Sequence, residues 1–125
     1  MLTWPAGTKV FVCTRATDMR CGFDTLAAQV TRFLDHDPLS GHLFVFRSRK
    51  GDRVKVLYWD TDGYALWCKR LERGTVQLPA VDPEQTPGPY RVEMTADDLG
   101  LILRGIDPAE VRRRPRYRKP PRPDS

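Results

Sequence analysis

The sequence predicts an α+β domain: an antiparallel β-meander sheet with one amphipathic helix packed on its apolar face, a short C-terminal helix and a disordered basic tail. Three observations carry the prediction. Phe23, Leu26, Ala27, Val30, Phe33 and Leu34 recur at the spacing of one helix face. Two runs rich in aromatic and β-branched residues flank Lys50-Gly51-Asp52, the pattern of a hairpin. Beyond Asp107 the chain is rich in proline and arginine.

The elements follow in order. Lys9 to Cys13 (Lys-Val-Phe-Val-Cys), behind Pro5 and Gly7, reads as a short strand. The helix starts at Phe23 and runs to Leu34, where Asp35-His36-Asp37-Pro38 stops it, because proline disfavours helical geometry in the residue before it. Leu43 to Arg49 and Arg53 to Trp59 form the hairpin. An odd loop, Lys50-Gly51-Asp52, sets Arg47 opposite Lys55 and Phe46 opposite Val56. One face then carries Arg47, Arg49, Arg53, Lys55 and Trp59, while Phe44, Phe46, Val54 and Val56 occupy the other. This register keeps charge off the buried side, where unpaired charge is costly.

Asp60-Thr61-Asp62-Gly63 makes a second turn, and Tyr64 to Leu71 supplies a third strand. An even second loop brings Arg70 onto the face of Arg53 and Lys55. A short run, Thr75 to Leu78, follows Gly74, and residues 79–92 form a proline-rich connector. Thr95 then caps a last helix, with Asp97 and Asp98 in its first turn, Leu99, Ile102 and Leu103 as its apolar stripe, and Gly105 as its stop. That helix is too short to persist alone and closes an edge or end of the sheet. Residues 1–107 thus make a single domain and residues 108–125 a disordered Arg/Pro-rich tail.

At 125 residues the chain is long enough to bury a core. The net charge of +5 belongs to the tail. Residues 112–125 hold seven of the 21 basic residues and one of the 16 acidic ones, which leaves fourteen against fifteen elsewhere. Even so, Arg47, Arg49, Lys50, Arg53, Lys55, Lys69, Arg70 and Arg73 gather in the meander, beside Trp59. Cations displayed with an aromatic ring on a sheet suit a phosphate backbone and unpaired bases; a solvated face that guards sheet edges is the plainer alternative. Arg112, Arg113, Arg114, Arg116, Arg118 and Lys119 add a flexible cationic arm, of the kind that strengthens nucleic-acid binding without specifying sequence.

Catalytic chemistry finds little support. Asp18, Asp24, Asp60 and Asp62 have the chemistry to hold a metal, but Asp24 sits in a first helical turn and Asp60-Thr61-Asp62-Gly63 is turn composition. Position twelve from Asp60 is Leu71, where a calcium loop needs glutamate. Cys13, Cys21 and Cys68 form no close metal-binding pair, and no motif joins them to His36 or His42. No cofactor, metal, membrane or small-molecule substrate is expected. An odd cysteine number without a disulfide framework, together with Pro5, Gly7 and Lys9 interrupting any apolar leader, points to the cytoplasm.

Several strings go beyond physical pattern: Thr17-Asp18-Met19-Arg20 with Gly22-Phe23-Asp24, Ser40-Gly41-His42-Leu43-Phe44-Val45-Phe46-Arg47, Trp59-Asp60, and Lys69-Arg70-Leu71-Glu72 with Gly74. Across residues 5–78, with a fainter echo from Leu99 to Asp107, the chain resembles the small accessory protein TnpB of insertion-sequence family sixty-six, which is distinct from the RNA-guided nuclease of the same name. The resemblance implies a non-enzymatic role in transposition, with DNA, the transposase and the other transposon-encoded protein as partners. The alternative it leaves open is an adaptor that docks the transposase without touching DNA. It supplies no catalytic residues. Two departures stand out: Cys21 where the family commonly has a basic residue, and the extended Arg/Pro tail.

Overall fold

A computed structural model describes residues 4–78 and 89–104. Five strands, β1 (Val10–Cys13), β2 (Leu43–Arg47), β3 (Arg53–Asp60), β4 (Gly63–Arg70) and β5 (Arg91–Met94), form one sheet, with helices α1 (Phe23–Arg32) between β1 and β2 and α2 (Ala96–Leu103) after β5. The strand order is β4-β3-β2-β1-β5. The meander β2-β3-β4 is antiparallel as its sequence predicts. The sheet as a whole is mixed, because β1 runs parallel to β2 and antiparallel to β5. A parallel pair needs a long crossover, and α1 supplies it.

Each face of the sheet carries a helix. Phe11, Phe44, Phe46 and Leu57 point one way and bury against Leu26, Ala27, Val30 and Leu34 of the α1 segment. Val10, Val12, Leu43, Val45, Val54, Val56 and Met94 point the other way and bury against Leu99 and Ile102 of α2. The unbroken burial of Leu43–Phe46 follows from this: a strand covered on both sides has no polar face to alternate with.

The helix boundaries track their signals. Gly22 is the N-cap of α1, and Phe33 its C-cap. Phe23 starts the predicted stripe but is 47% exposed. Asp35, with φ of 49°, turns the chain away. Thr95 Oγ1 accepts the Asp98 amide at 3.0 Å, as expected of the α2 cap.

Three sequence expectations are corrected. The first loop is even: the amide of Ser48 donates to the carbonyl of Arg53 at 3.0 Å, so Arg49 belongs to the turn and Arg47 stands opposite Val54, with Phe46 opposite Lys55. The odd register assumed one solvated face, and this sheet has none. The second correction concerns α2, which packs across the sheet face opposite α1 instead of closing an edge or end. Third, Arg91 and Val92, placed in the connector by sequence, lie in β5, whose four residues are too few to show a period beside so many prolines. The short run Thr75 to Leu78 lies outside the sheet: Val76 is buried and its amide donates to the Gly51 carbonyl at 2.7 Å. Residues 79–88 of the connector, the Gly105 stop and the 108–125 tail lie outside the described residues.

Candidate nucleic-acid interface

The corrected register redistributes the meander's cations. Arg47 and Lys69 belong to the α2 side, and Arg53, Lys55 and Arg70 to the α1 side. Two of the eight are occupied inside the fold. Lys55 Nζ donates to the carbonyls of Met19 at 2.7 Å and Cys21 at 2.8 Å, pinning the segment that leads into α1. Lys69 Nζ donates to the Leu103 carbonyl at 2.5 Å, where α2 ends. A cation there also meets the negative end of the helix dipole.

The others share one end of the sheet. Because the second loop is even, Arg53 stands directly opposite Arg70. Arg49 and Lys50 are exposed in the neighbouring turn, while Arg47 is half-buried at the end of β2. Backbone bonds from Leu71 to Asp52 (2.7 Å) and from Val76 to Gly51 (2.7 Å) draw the segment carrying exposed Arg73 against that turn. Two acids temper the patch. Asp52 Oδ1 accepts from Ser48 Oγ at 3.1 Å, and Glu72 pairs with Arg70 at 3.1 Å. A groove of about 470 Å³ beside the pair is lined by Met19, Arg53, Lys55, Cys68, Arg70 and Glu72.

Trp59 is not in this group. It lies six residues up β3 from Arg53, roughly 20 Å away at strand rise, and meets Tyr64 edge-on at 5.1 Å beside the Asp60–Gly63 turn. Arg112, Arg113, Arg114, Arg116, Arg118 and Lys119 fall outside the described residues.

Sequence reasoning about the meander overlooked Arg20. Lys55 holds the carbonyls on either side of it, which brings its segment to the same groove. Its guanidinium, 91% exposed, contacts Asp18 at 2.6 Å. The bidentate pair holds the Asp18 carboxyl down at about 2. The string Thr17-Asp18-Met19-Arg20, already distinctive in the sequence, was the signal available.

The acidic and thiol candidates are dispersed. Asp24 occupies the first turn of α1, and Asp60 and Asp62 are exposed around the β3–β4 turn. Among the described residues, no three of the His, Cys, Asp and Glu side chains are grouped to hold a metal ion. Burial pushes the Cys13 thiol up, away from thiolate chemistry. No helix among the described residues is long and apolar enough to cross a membrane.

Fold and site define a small mixed-sheet α+β protein, helix-covered on both faces and cationic at one end of its sheet. The chain belongs to the family of IS66 Orf2 like proteins, TnpB_IS66, whose model it matches over residues 8–113. That makes it a transposition-associated accessory protein of the IS66 type, as the resemblance implied. Two similar proteins come from Sinorhizobium fredii strain NGR234. Uncharacterized protein y4hO is 38% identical over 107 residues, covering 86% of this chain and 88% of its own. Uncharacterized protein y4jC is 34% identical over 109 residues, covering 87% and 88%. No solved structure matches significantly.

Proposed function

We propose that this protein is a non-enzymatic cytoplasmic accessory factor that binds transposon DNA, or the transposase on DNA, through the cationic end of its sheet, with the C-terminal arginines adding affinity. The observation that carries the reading is the Arg53–Arg70 cross-strand pair. Like charges directly opposite on a sheet work against pairing. Arg49, Lys50 and Arg73 crowd the same end, and a polyanion relieves the repulsion that a lone protein must bear.

The test is a titration of labelled duplex against the full-length chain at increasing salt. Affinity should fall steeply, with a log–log slope near −0.9 per phosphate contacted. Arg53→Glu with Arg70→Glu should weaken binding beyond the effect of deleting residues 108–125. An unchanged affinity in the double variant would sink the sheet-end assignment.

A second reading, docking of the transposase without DNA contact, is favoured by one feature. A groove of about 730 Å³ beside α2 is lined by Trp4, Trp67, Leu101 and Leu103. Complex formation that survives high salt and nuclease treatment, and is lost on Leu101→Asp, would select it.

A further inference from the structure

The two edges of the sheet differ. The β5 edge is four residues long and bears Arg91 and Glu93, the latter within 4.0 Å of Lys9. Short, charged edges resist further pairing. Strand β4 runs eight residues, and Tyr64-Ala65-Leu66-Trp67-Cys68 within it carries no charge and no proline. Among the described residues no strand pairs with its outer side. Leu66 packs toward the α1 core and Trp67 toward the α2 core, yet both stay half-buried, because neither helix reaches past this edge.

The outward-facing groups follow from the ladder. The Leu71 amide donates inward to Asp52, and alternation along an antiparallel strand then turns Gly63, Ala65, Trp67 and Lys69 inward as well. Tyr64, Leu66, Cys68 and Arg70 therefore present their amides and carbonyls outward. Antiparallel pairing of β4 with β4 of a second copy must match outward with outward, so the paired residue numbers sum to an even value.

We infer that the protein forms a two-fold dimer through the β4 edges, joining two five-stranded sheets into one, with Trp67 on the axis. In this register Leu66 lies across from Cys68 of the second copy, and Tyr64 across from its Arg70, whose guanidinium can lie along the ring. The two Trp67 residues form a close, non-hydrogen-bonded pair that covers the half-exposed indoles. Charge selects the antiparallel sense. Strand β4 begins at the acidic Asp60–Asp62 turn and ends at Lys69 and Arg70; beyond it Arg73 adds a cation and Glu72, paired with Arg70, offsets one. The end stays net basic, so antiparallel copies set each acidic turn beside the other's basic end, whereas parallel copies align like with like.

Sedimentation equilibrium on the full chain should give the mass of two chains at high micromolar concentration. Cys68→Pro removes an outward amide while leaving every inward bond of β4. It should raise the dimer Kd by at least about tenfold and leave the monomer folded by circular dichroism. Mild oxidation should trap Trp67→Cys as a covalent dimer, while wild-type Cys68, off the axis, gives none. A single-chain mass for the wild type, an unaltered Kd for the folded Cys68→Pro variant, or a Cys68–Cys68 dimer in place of the Trp67→Cys product would each overturn the proposal. None of these readouts involves DNA, so they stand apart from the binding titration.

Discussion

Lys69, on the outermost strand of the meander, reaches over the α2 side of the sheet and donates its ammonium proton to the Leu103 carbonyl at 2.5 Å. The contact joins residues 34 apart in sequence. It satisfies one of the carbonyls that every helix leaves open at its end. Lys69→Met keeps the aliphatic stem and removes the donor, and should cost about 2 kcal/mol in urea unfolding. Lys69→Arg should recover part of the loss.

Lys55 makes the corresponding connection on the other side, to the carbonyls of Met19 and Cys21. Lys55→Met should destabilise by about 2–3 kcal/mol, read as a lower urea midpoint at unchanged slope. Conditions that keep the variant folded should leave its DNA affinity much less altered than the Arg53→Glu/Arg70→Glu change does, because the Lys55 ammonium is committed to the fold.

Gly51 sits at φ of 78°, and a Cβ built there would lie 3.2 Å from Thr75 Cβ. Both the left-handed backbone and the close approach of the 71–76 segment require glycine. Gly51→Ala should lose about 1–2 kcal/mol and lower the melting midpoint by roughly 5–10 °C. Gly51→Ala with Thr75→Gly should recover only the part due to contact.

These residues show what a sequence can disclose. The stripe from Leu26 to Leu34 identified α1, and Thr95 with its two following acids identified α2, because both signals are local. The register of β2 on β3 depended on a helix more than forty residues further along covering the second face, and no local pattern announces that. Once both faces are buried, the cost of charge on one face stops discriminating between registers; Lys55 finds carbonyls where solvent was expected. The basic face drawn by the odd register is divided between the two sides of the sheet, and what gathers the cations is one end of it, set by strand ends and turns. Trp59 did not join it, because the same strand carries it to the opposite end.

His42 Nδ1 accepts the Lys9 amide at 3.0 Å, and its ring lies 5.8 Å from those of both Phe11 and His36. Burial, then the proximity of His36 and Lys9, lowers its pKa below the ordinary 6.5, with Glu93 opposing. The folded state therefore binds protons less readily than the unfolded chain. Its stability contribution is intact above pH 6.5 and is lost as pH falls from there through the folded value. His42→Asn keeps an acceptor for Lys9 without titrating. Its unfolding midpoint should change less than the wild type's between about pH 7 and pH 5.

Arg91 Nη1 holds the carbonyls of Leu34 at 2.7 Å and Asp35 at 2.8 Å from β5, just as Lys69 holds Leu103 from β4. The two border strands of the sheet are thus buckles, each fastening one helical layer. Fraying of either border should unfasten a helix end with it. Amide exchange in the last turn of α1 should accordingly keep pace with exchange in β5, and exchange at the end of α2 with that in β4.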